Sequence, residues 1–562
     1  MPGEIEAPQA VPVNYYYLWH LTALGVIDAD YGPPPLVPPA LDESAVSAVA
    51  DPVIGATVWD TIAAAGPVHP ARVALIDVGV SRDHPNLTTR LDREASLDLT
   101  THRYGARIEP ILDTTTSFDR EERQAFFSGL NIAPLGSLGL SNDDRDYLND
   151  IAAEYAASEG VVRRLYAPES LFASHGTCCA GLIVGEPAVA SEIEGGVLPV
   201  ENAFGDTLPG PSTNRNVLPY FGVDPFSKLI SIRTSFEDDV RQFIAAFLYA
   251  YHQKVDVIVV PRGFPDPKRS RVEPKNELKA DLESWKNQDI ADLFARIAVA
   301  EQGGIELEPK LAQKGSNSDR AWRILKRLII GISKRIPIVC AAGNSGESQL
   351  IYPANLASDN NGIIAVGAVT AEGFRSGYSN YGEGLTVVAP ADDSEVFNRH
   401  QLRVDTLFPF AAQHDNAGFR LPAYQYSHLS LLTTDLSGVF GYDMGSAPWS
   451  SIVPFTANPG VGGGYYTTFG GTSGASAQVG GICALIQRAH KSQSGADARL
   501  TGTEVKAILQ EASSLDTVVA PGRRPLTADC MNADGEDSQE MAYFFGSGLP
   551  DARAAVAAAL SP

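Results

Sequence analysis

The stretch RVALIDVGV, Arg72–Val80, decides the fold. Four apolar residues lie within its first six positions, with β-branched side chains among them, and a glycine follows. Such a run reads as a strand covered on both faces, not as the alternating pattern of a strand with one wet side. The same signature recurs in KLISIRTS (Lys228–Ser235), VDVIVVPRG (Val255–Gly263), IPIVCAAGN (Ile336–Asn344), GIIAVGAV (Gly362–Val369) and LTVVAP (Leu385–Pro390). Helical periodicity separates several of them, in DDVRQFIAAFLYAYHQK (238–254), DRAWRILKRLIIGISKR (319–335) and TGTEVKAILQEASS (501–514). Buried strands with helices between them imply an α/β fold: three layers, doubly wound, a mostly parallel sheet with helices on both faces.

Between the strands lie stretches too polar or irregular for a minimal fold of this kind. They run over 88–168, 186–217, 264–325 and 392–428, and read as large surface insertions in a single catalytic domain spanning residues 1–562. The run GPPPLVPPALDE (Gly32–Glu43) is a stiff connector. SNDDRDYLND (Ser141–Asp150) lacks the glycine and terminal glutamate of an EF-hand loop and reads as a solvated acidic face.

A formal charge of −24 argues against nucleic-acid and anionic-membrane partners, which would be repelled at long range. No apolar run reaches membrane-spanning length; Arg327–Gly343 comes nearest, and Lys334 and Arg335 interrupt it. The amino terminus has no basic residue ahead of an apolar core and does not read as a signal peptide. Of five cysteines, four sit in apolar or glycine-rich runs, where a thiol acts as a small hydrophobe. The expectation is a cytoplasmic chain without disulfides.

Three short segments could carry chemistry together. Asp77 ends the opening strand. His175 lies in SHGTCCAG (Ser174–Gly181), a helix start crowded with small residues. Ser473 lies in FGGTSGASAQVGG (Phe469–Gly481), another such start. A serine hydroxyl needs an adjacent base to act as a nucleophile, and the base needs an orienting group. Taken singly, the aspartate reads as a turn former, the histidine as a structural residue and the Gly-Thr-Ser as a loop.

Together, in the order Asp, His, Ser, the segments resemble those of the subtilase family, the subtilisin-like serine peptidases. The resemblance implies that Ser473 is the nucleophile, His175 the general base and then acid, and Asp77 the group that orients it. VCAAGNSGES (Val339–Ser348) resembles the family's oxyanion segment, which makes Asn344 a donor to the tetrahedral intermediate, beside the backbone N–H of Ser473. Pro261, Arg262 and Gly263 stand where the family has its Ser-Leu-Gly substrate strand, and Ala341, Ala342 and Gly343 would flank the substrate on the other side. Arg262 either lines the cleft and favours acidic side chains, or turns to solvent or to a carboxylate.

Further likeness runs through YLWHLTALGV (Tyr17–Val26), YFGVDPFSKLISIRT (Tyr220–Thr234), YPANLASDNNGIIAVGAV (Tyr352–Val369) and FFGSGLPDARAAVAAAL (Phe544–Leu560). LLTTDLSGVFGYD (Leu431–Asp443) is more kexin-like, and Cys179 matches the cysteine near the histidine of proteinase K-like members. That match puts Cys179 buried beside the site, with no role in the chemistry. Ala477 stands where the family usually has proline, and Gln478 where it often has histidine or a leucine-like residue, which implies altered packing around intact chemistry.

The likeness starts near Tyr15 and leaves no room ahead of it for an inhibitory propeptide. The implied partner is a polypeptide substrate, with a regulatory protein docking on the insertions as a further expectation. No cofactor is required for the chemistry, no metal ligand is assigned, and structural calcium is allowed by the resemblance. Two rivals remain open: a spoiled site that only binds peptides, and the same triad used to ligate them.

Overall fold

The computed structural model describes residues 18–29, 54–81, 84–99, 140–157, 173–187, 200–201, 207–208, 220–234, 240–264, 317–370, 373, 375–391, 431–436, 442, 466–518 and 538–561. Seven strands form the central sheet: β1 (Arg72–Asp77), β2 (Leu97–Asp98), β3 (Lys228–Arg233), β4 (Val257–Val260), β5 (Ile338–Ala341), β6 (Ile363–Val369) and β7 (Leu385–Pro390). Their spatial order is β7-β6-β5-β4-β1-β3-β2, and every pairing is parallel. The six strands expected from the sequence are all present. The seventh, β2, falls inside the span read as an insertion over 88–168; it pairs Leu97 with Ile232 and Asp98 with Arg233. That part of the span belongs to the sheet.

Alternate residues of each strand enter opposite layers, as the period of two requires. Val73, Leu75, Val257, Val259 and Val366 pack in one core, with helices α1 (Val58–Ala65), α3 (Ala173–Val184), α6 (Gly471–Ser494), α7 (Gly502–Glu511) and α8 (Ala552–Leu560). Ala74, Ile76, Ile258, Val260 and Ile363 pack in the other, with α2 (Asn142–Ala157), α4 (Val240–His252) and α5 (Asn317–Ser333). The three-layer architecture expected from the strand pattern is the one observed.

Local sequence explains how the helices begin. Thr501 and Glu504 make a reciprocal capping box at the start of α7. The Asp551 carboxylate accepts from the N–H groups of Arg553 and Ala554 at the start of α8. In α5, Ile324, Leu325, Leu328, Ile329 and Ile332 recur at helical spacing and are all buried. Helix α2 covers most of the run read as a solvated acidic face. Asp144 departs from that reading: it is buried and pairs with Arg320 and Arg327 of α5. Hydrogen bonds from Ser141 and the charge of Arg327 hold its carboxyl below the usual aspartate range, against the opposing effect of burial.

Helix α6 runs through the interior, and all but a few of its residues are buried. A helix apolar on every side is one packed on every side. Its glycines answer to that packing: a Cβ at Gly480 would stand 2.5 Å from Val259, and one at Gly481 2.5 Å from Val223. Towards its carboxyl end, Arg488 pairs with Asp224, and Lys491 reaches Asp256 at 2.6 Å. Asp256 also accepts from Arg499 and from the N–H of Arg72 at the start of β1.

The insertion over 392–428 lies outside the described residues, as do most of 186–217 and 264–325. Cys178, Cys179, Cys340 and Cys483 are free and buried, while Cys530 lies outside the described residues. Among the described residues, no helix is long and apolar enough to cross a membrane.

Candidate active site

Asp77 sits at the carboxyl end of β1, near the point where the chain reverses its direction of winding between β3 and β4. Open parallel sheets gather their reacting groups at this edge. The Asp77 carboxylate is almost wholly buried, with 1% of its side chain exposed. Its Oδ1 accepts from the N–H of Val78 at 2.8 Å. His175, in the first turn of α3, places Nδ1 2.8 Å from Asp77 Oδ2 and 3.0 Å from Oδ1. A carboxylate there requires a proton on Nδ1, so the opposite ring nitrogen, Nε2, carries the lone pair.

The close meeting of α3 with β1 depends on Gly176. A Cβ at this position would stand 2.0 Å from the carbonyl oxygen of Gly79 and 3.5 Å from Asp77 Cβ. Gly79 itself has a φ of +115°, a region that side chains rarely adopt. One residue on, the Thr177 hydroxyl accepts from the N–H of Ser81, binding the helix to the loop after Asp77. Cys179 is fully buried, as expected. Burial and the neighbouring Asp77 carboxylate raise its thiol well above the usual range, so it stays protonated and hydrogen-bonds that carboxylate. Asp77, His175 and Cys179 are the one group of possible metal-ligating side chains found among the described residues. The Asp77–His175 hydrogen bond and the protonated thiol suit acid–base work better than cation binding.

Ser473 occupies the first turn of α6 and is 8% exposed. The hairpin of β8 (Leu431–Thr434) and β9 (Tyr466–Phe469) delivers the chain to it. Thr433 and Thr434 donate their hydroxyls to the carbonyls of Cys178 and Thr177, which fastens the hairpin to the histidine helix. Phe469, at the end of β9, sets its ring edge-to-face against the His175 imidazole with centroids 5.5 Å apart. The hairpin also explains one unusual residue: a Cβ at Gly474 would lie 2.9 Å from Leu431. The small residues around Ser473 therefore serve the scaffold's own close contacts.

Asn344 follows β5 and is half-buried. Its Oδ1 accepts from the N–H of Thr472 at 2.9 Å and from the Thr472 hydroxyl at 2.8 Å. The Thr472 hydroxyl oxygen in turn accepts from the N–H of Gly343 at 3.1 Å. This turns the acceptor end of the amide towards α6 and points its Nδ2 donor away from Thr472. Gly471 donates to the hydroxyl of Tyr378, and Gly474 donates back to the carbonyl of Gly470. Of these first N–H groups, that of Ser473 is the one without an acceptor among the described residues. Thr472 and Tyr378 are site residues that the motif reading did not single out. The position of Thr472, next to the serine, was the available signal.

Pro261 and Arg262 are buried just beyond β4, and Gly263 packs against Ile351, where a Cβ would stand 2.8 Å from Cδ1. Arg262 is 8% exposed, with its guanidinium 5.9 Å from the centre of the Phe243 ring and Nη1 3.5 Å from the Thr234 hydroxyl. It is turned into the protein, not to solvent. Ala341 and Ala342 are buried at the end of β5, where Ala342 donates to the carbonyl of Val366. Gln478 is fully buried and donates from Nε2 to the carbonyls of Pro390, at 2.7 Å, and Gly474, at 3.0 Å. Its amide ties the helix start to the end of β7.

The profile of the subtilase family matches residues 70–548, and the chain belongs to this family. Over 58 residues it is 43% identical to subtilisin BL and 41% identical to subtilisin Savinase, both of Lederbergia lenta. That segment is 10% of this chain, and the match spans only 20% of the length of either relative. Among solved structures, it is similar to the epidermin leader peptide processing serine protease EpiP of Staphylococcus aureus, at 14% identity and a TM-score of 0.42, over 90% of this chain and 78% of that one. A protease of Pseudoalteromonas arctica aligns at 16% identity and a TM-score of 0.41, over 89% and 92% of the two chains.

Proposed function

We propose that the protein is a serine endopeptidase whose residues 1–562 act as one catalytic domain on polypeptide substrates. The observation that carries this reading is two hydrogen-bonded pairs, one next to Ser473 in the chain and one whose histidine packs on Phe469, four residues ahead of it. Asp77 holds His175, Asn344 holds Thr472, and Ser473 follows directly in the chain.

In the proposed reaction, Ser473 Oγ attacks the carbonyl carbon of the scissile bond while His175 Nε2 takes the hydroxyl proton. Asp77 keeps the imidazole in its Nδ1–H form and stabilises the imidazolium. The oxyanion accepts hydrogen bonds from Asn344 Nδ2 and the Ser473 N–H, donors fixed before substrate arrives. Collapse breaks the C–N bond, His175 returns its proton to the leaving amine, and an acyl-enzyme remains. Water, deprotonated by the same imidazole, releases the acid. Every group in this scheme is a side chain or backbone N–H of the protein, so the chemistry calls for no cofactor.

Substrate backbone would run between Pro261–Gly263 and Ala341–Gly343, the segments that leave β4 and β5 at this edge. The four buried free thiols fit work in a reducing compartment such as the cytoplasm. The insertions remain our proposed docking sites for a regulatory partner.

Labelling of the purified chain with a fluorophosphonate probe tests the reading. Labelling is expected in the wild type and absent in Ser473→Ala. An unlabelled wild type, alone and with unfolded polypeptide present, would overturn it. Product masses then separate hydrolysis, which adds water, from ligation, which does not.

A further inference from the structure

Three side chains stand in one row across three adjacent strands. Asp77 of β1 is paired in register with Arg233 of β3, and Arg233 with Asp98 of β2. Parallel strands in register place such residues on one face of the sheet, with neighbouring strands about 4.8 Å apart. Arg233 is thus flanked by the aspartate that holds His175 and by one at the sheet edge.

The guanidinium is buried with the two carboxylates, so its bonds are made within the protein. Nη1 pairs with Asp98 Oδ2 at 3.3 Å, and Nε donates to the carbonyl of Val78 at 2.9 Å. Val78 is the residue whose N–H donates to Asp77 Oδ1 at 2.8 Å. The backbone of Val78 is therefore gripped at both ends, by the Asp77 carboxylate at its nitrogen and by Arg233 at its carbonyl. The backbone carbonyl of Asp77 accepts from Thr234, the residue after the arginine. Past Asp98, Leu99 donates to the carbonyl of Arg233 and accepts from Gln242 Nε2 of α4 at 2.9 Å.

We infer that Arg233, braced by Asp98, is a positioning residue that fixes the rotamer of the Asp77 carboxylate through the Val78 peptide. The two-residue strand β2 supplies the brace, which gives this short edge element a purpose in catalysis. Arginine suits the task because its fork reaches a carbonyl from Nε and a carboxylate from Nη1 at once, which a lysine ammonium cannot do. The inference rests on the proposed roles of Asp77 and His175.

The test compares wild type, Arg233→Lys and Asp98→Asn in the full chain, by peptide hydrolysis and by the low-field proton resonance of His175 Nδ1–H. Arg233→Lys keeps the charge and is expected to lower kcat about ten- to a hundred-fold with KM within about twofold, the cost of a misplaced orienting group. The low-field resonance should move or broaden in the same variant, and Asp98→Asn should show both effects more weakly. A resonance unmoved in both variants would overturn the inference. So would a loss of kcat that merely tracks the folded fraction. The resonance reports on the histidine–aspartate pair whether or not the protein cleaves peptides. If the probe failed to label Ser473, the peptidase reading would fall while the resonance still decided the role of Arg233.

Discussion

Asn344 and Thr472 are joined twice, through the backbone N–H and the hydroxyl of the threonine, and both bonds end on the same amide oxygen. The loop after β5 and the start of α6 are thereby fixed to each other one residue before the serine.

Replacing Thr472 by valine removes the hydroxyl at nearly constant volume. Asn344 Oδ1 then loses one of its two donors from Thr472, and the Gly343 N–H loses its acceptor. We expect Thr472→Val to lower kcat about ten-fold or more with KM little changed, because under the proposed mechanism the loss falls on the oxyanion donor Asn344. Steady-state kinetics on a peptide amide would check this. A rise in KM at constant kcat would instead assign Thr472 to substrate binding.

Gly176→Ala sets a methyl 2.0 Å from the Gly79 carbonyl. Both partners are backbone, so α3 must retreat from β1. A loss of about 1–3 kcal/mol in unfolding free energy is expected, the usual cost of overpacking. Activity per folded molecule should also fall, since His175 precedes this glycine. Wild-type kinetics in a destabilised variant would show that the dyad tolerates the retreat.

Asp256→Asn leaves the Lys491 ammonium buried without its counter-ion, with Arg499 and the Arg72 N–H also deprived of a charged acceptor. Removing one member of a buried pair costs about 3–5 kcal/mol. Denaturant unfolding should report a loss of that order. An unchanged unfolding midpoint would place this cluster outside the cooperative core.

His20 is fully buried, its two ring nitrogens have no hydrogen-bond partner among the described residues, and burial lowers its pKa to about 3. The folded state therefore resists protonation that the unfolded chain accepts near the ordinary value of about 6.5. Between those two values the unfolded state holds more protons, so stability falls as pH drops from about 6.5 towards 3. The slope from this one group approaches about 1.4 kcal/mol per pH unit. Urea midpoints across this range, compared with His20→Leu, should show a shallower acid dependence in the variant. Identical slopes would remove His20 from the acid response.

Much of this architecture was legible because its signals are local. Strands such as Ile363–Val369 are apolar on both faces, and Asp77, His175 and Ser473 each sit in a short segment with a recognisable neighbourhood. What escaped was set by distant partners. Leu97–Asp98 is too short to show a period, and only the neighbouring strand makes it a strand. Asp144 looks like any residue of an acidic run until Arg320 and Arg327 arrive from α5. The orientation of Arg262 could not be read from a tripeptide, because Phe243 and Thr234, which receive its guanidinium, lie elsewhere in the chain. Thr472 was visible in the motif, yet its bond to Asn344 spans 128 positions.

Helix α6 has 24 residues and so extends about 36 Å, with Ser473 near one end and Lys491 near the other. Buried charges moor the far end against Asp224 and Asp256, whereas the near end is held by Asn344, Tyr378 and Gln478. A beam fixed at both supports resists sliding along its axis. The depth of Ser473 relative to the sheet edge is accordingly set by the helix's whole length, and a change near Lys491 could be felt at the serine as a shift in register.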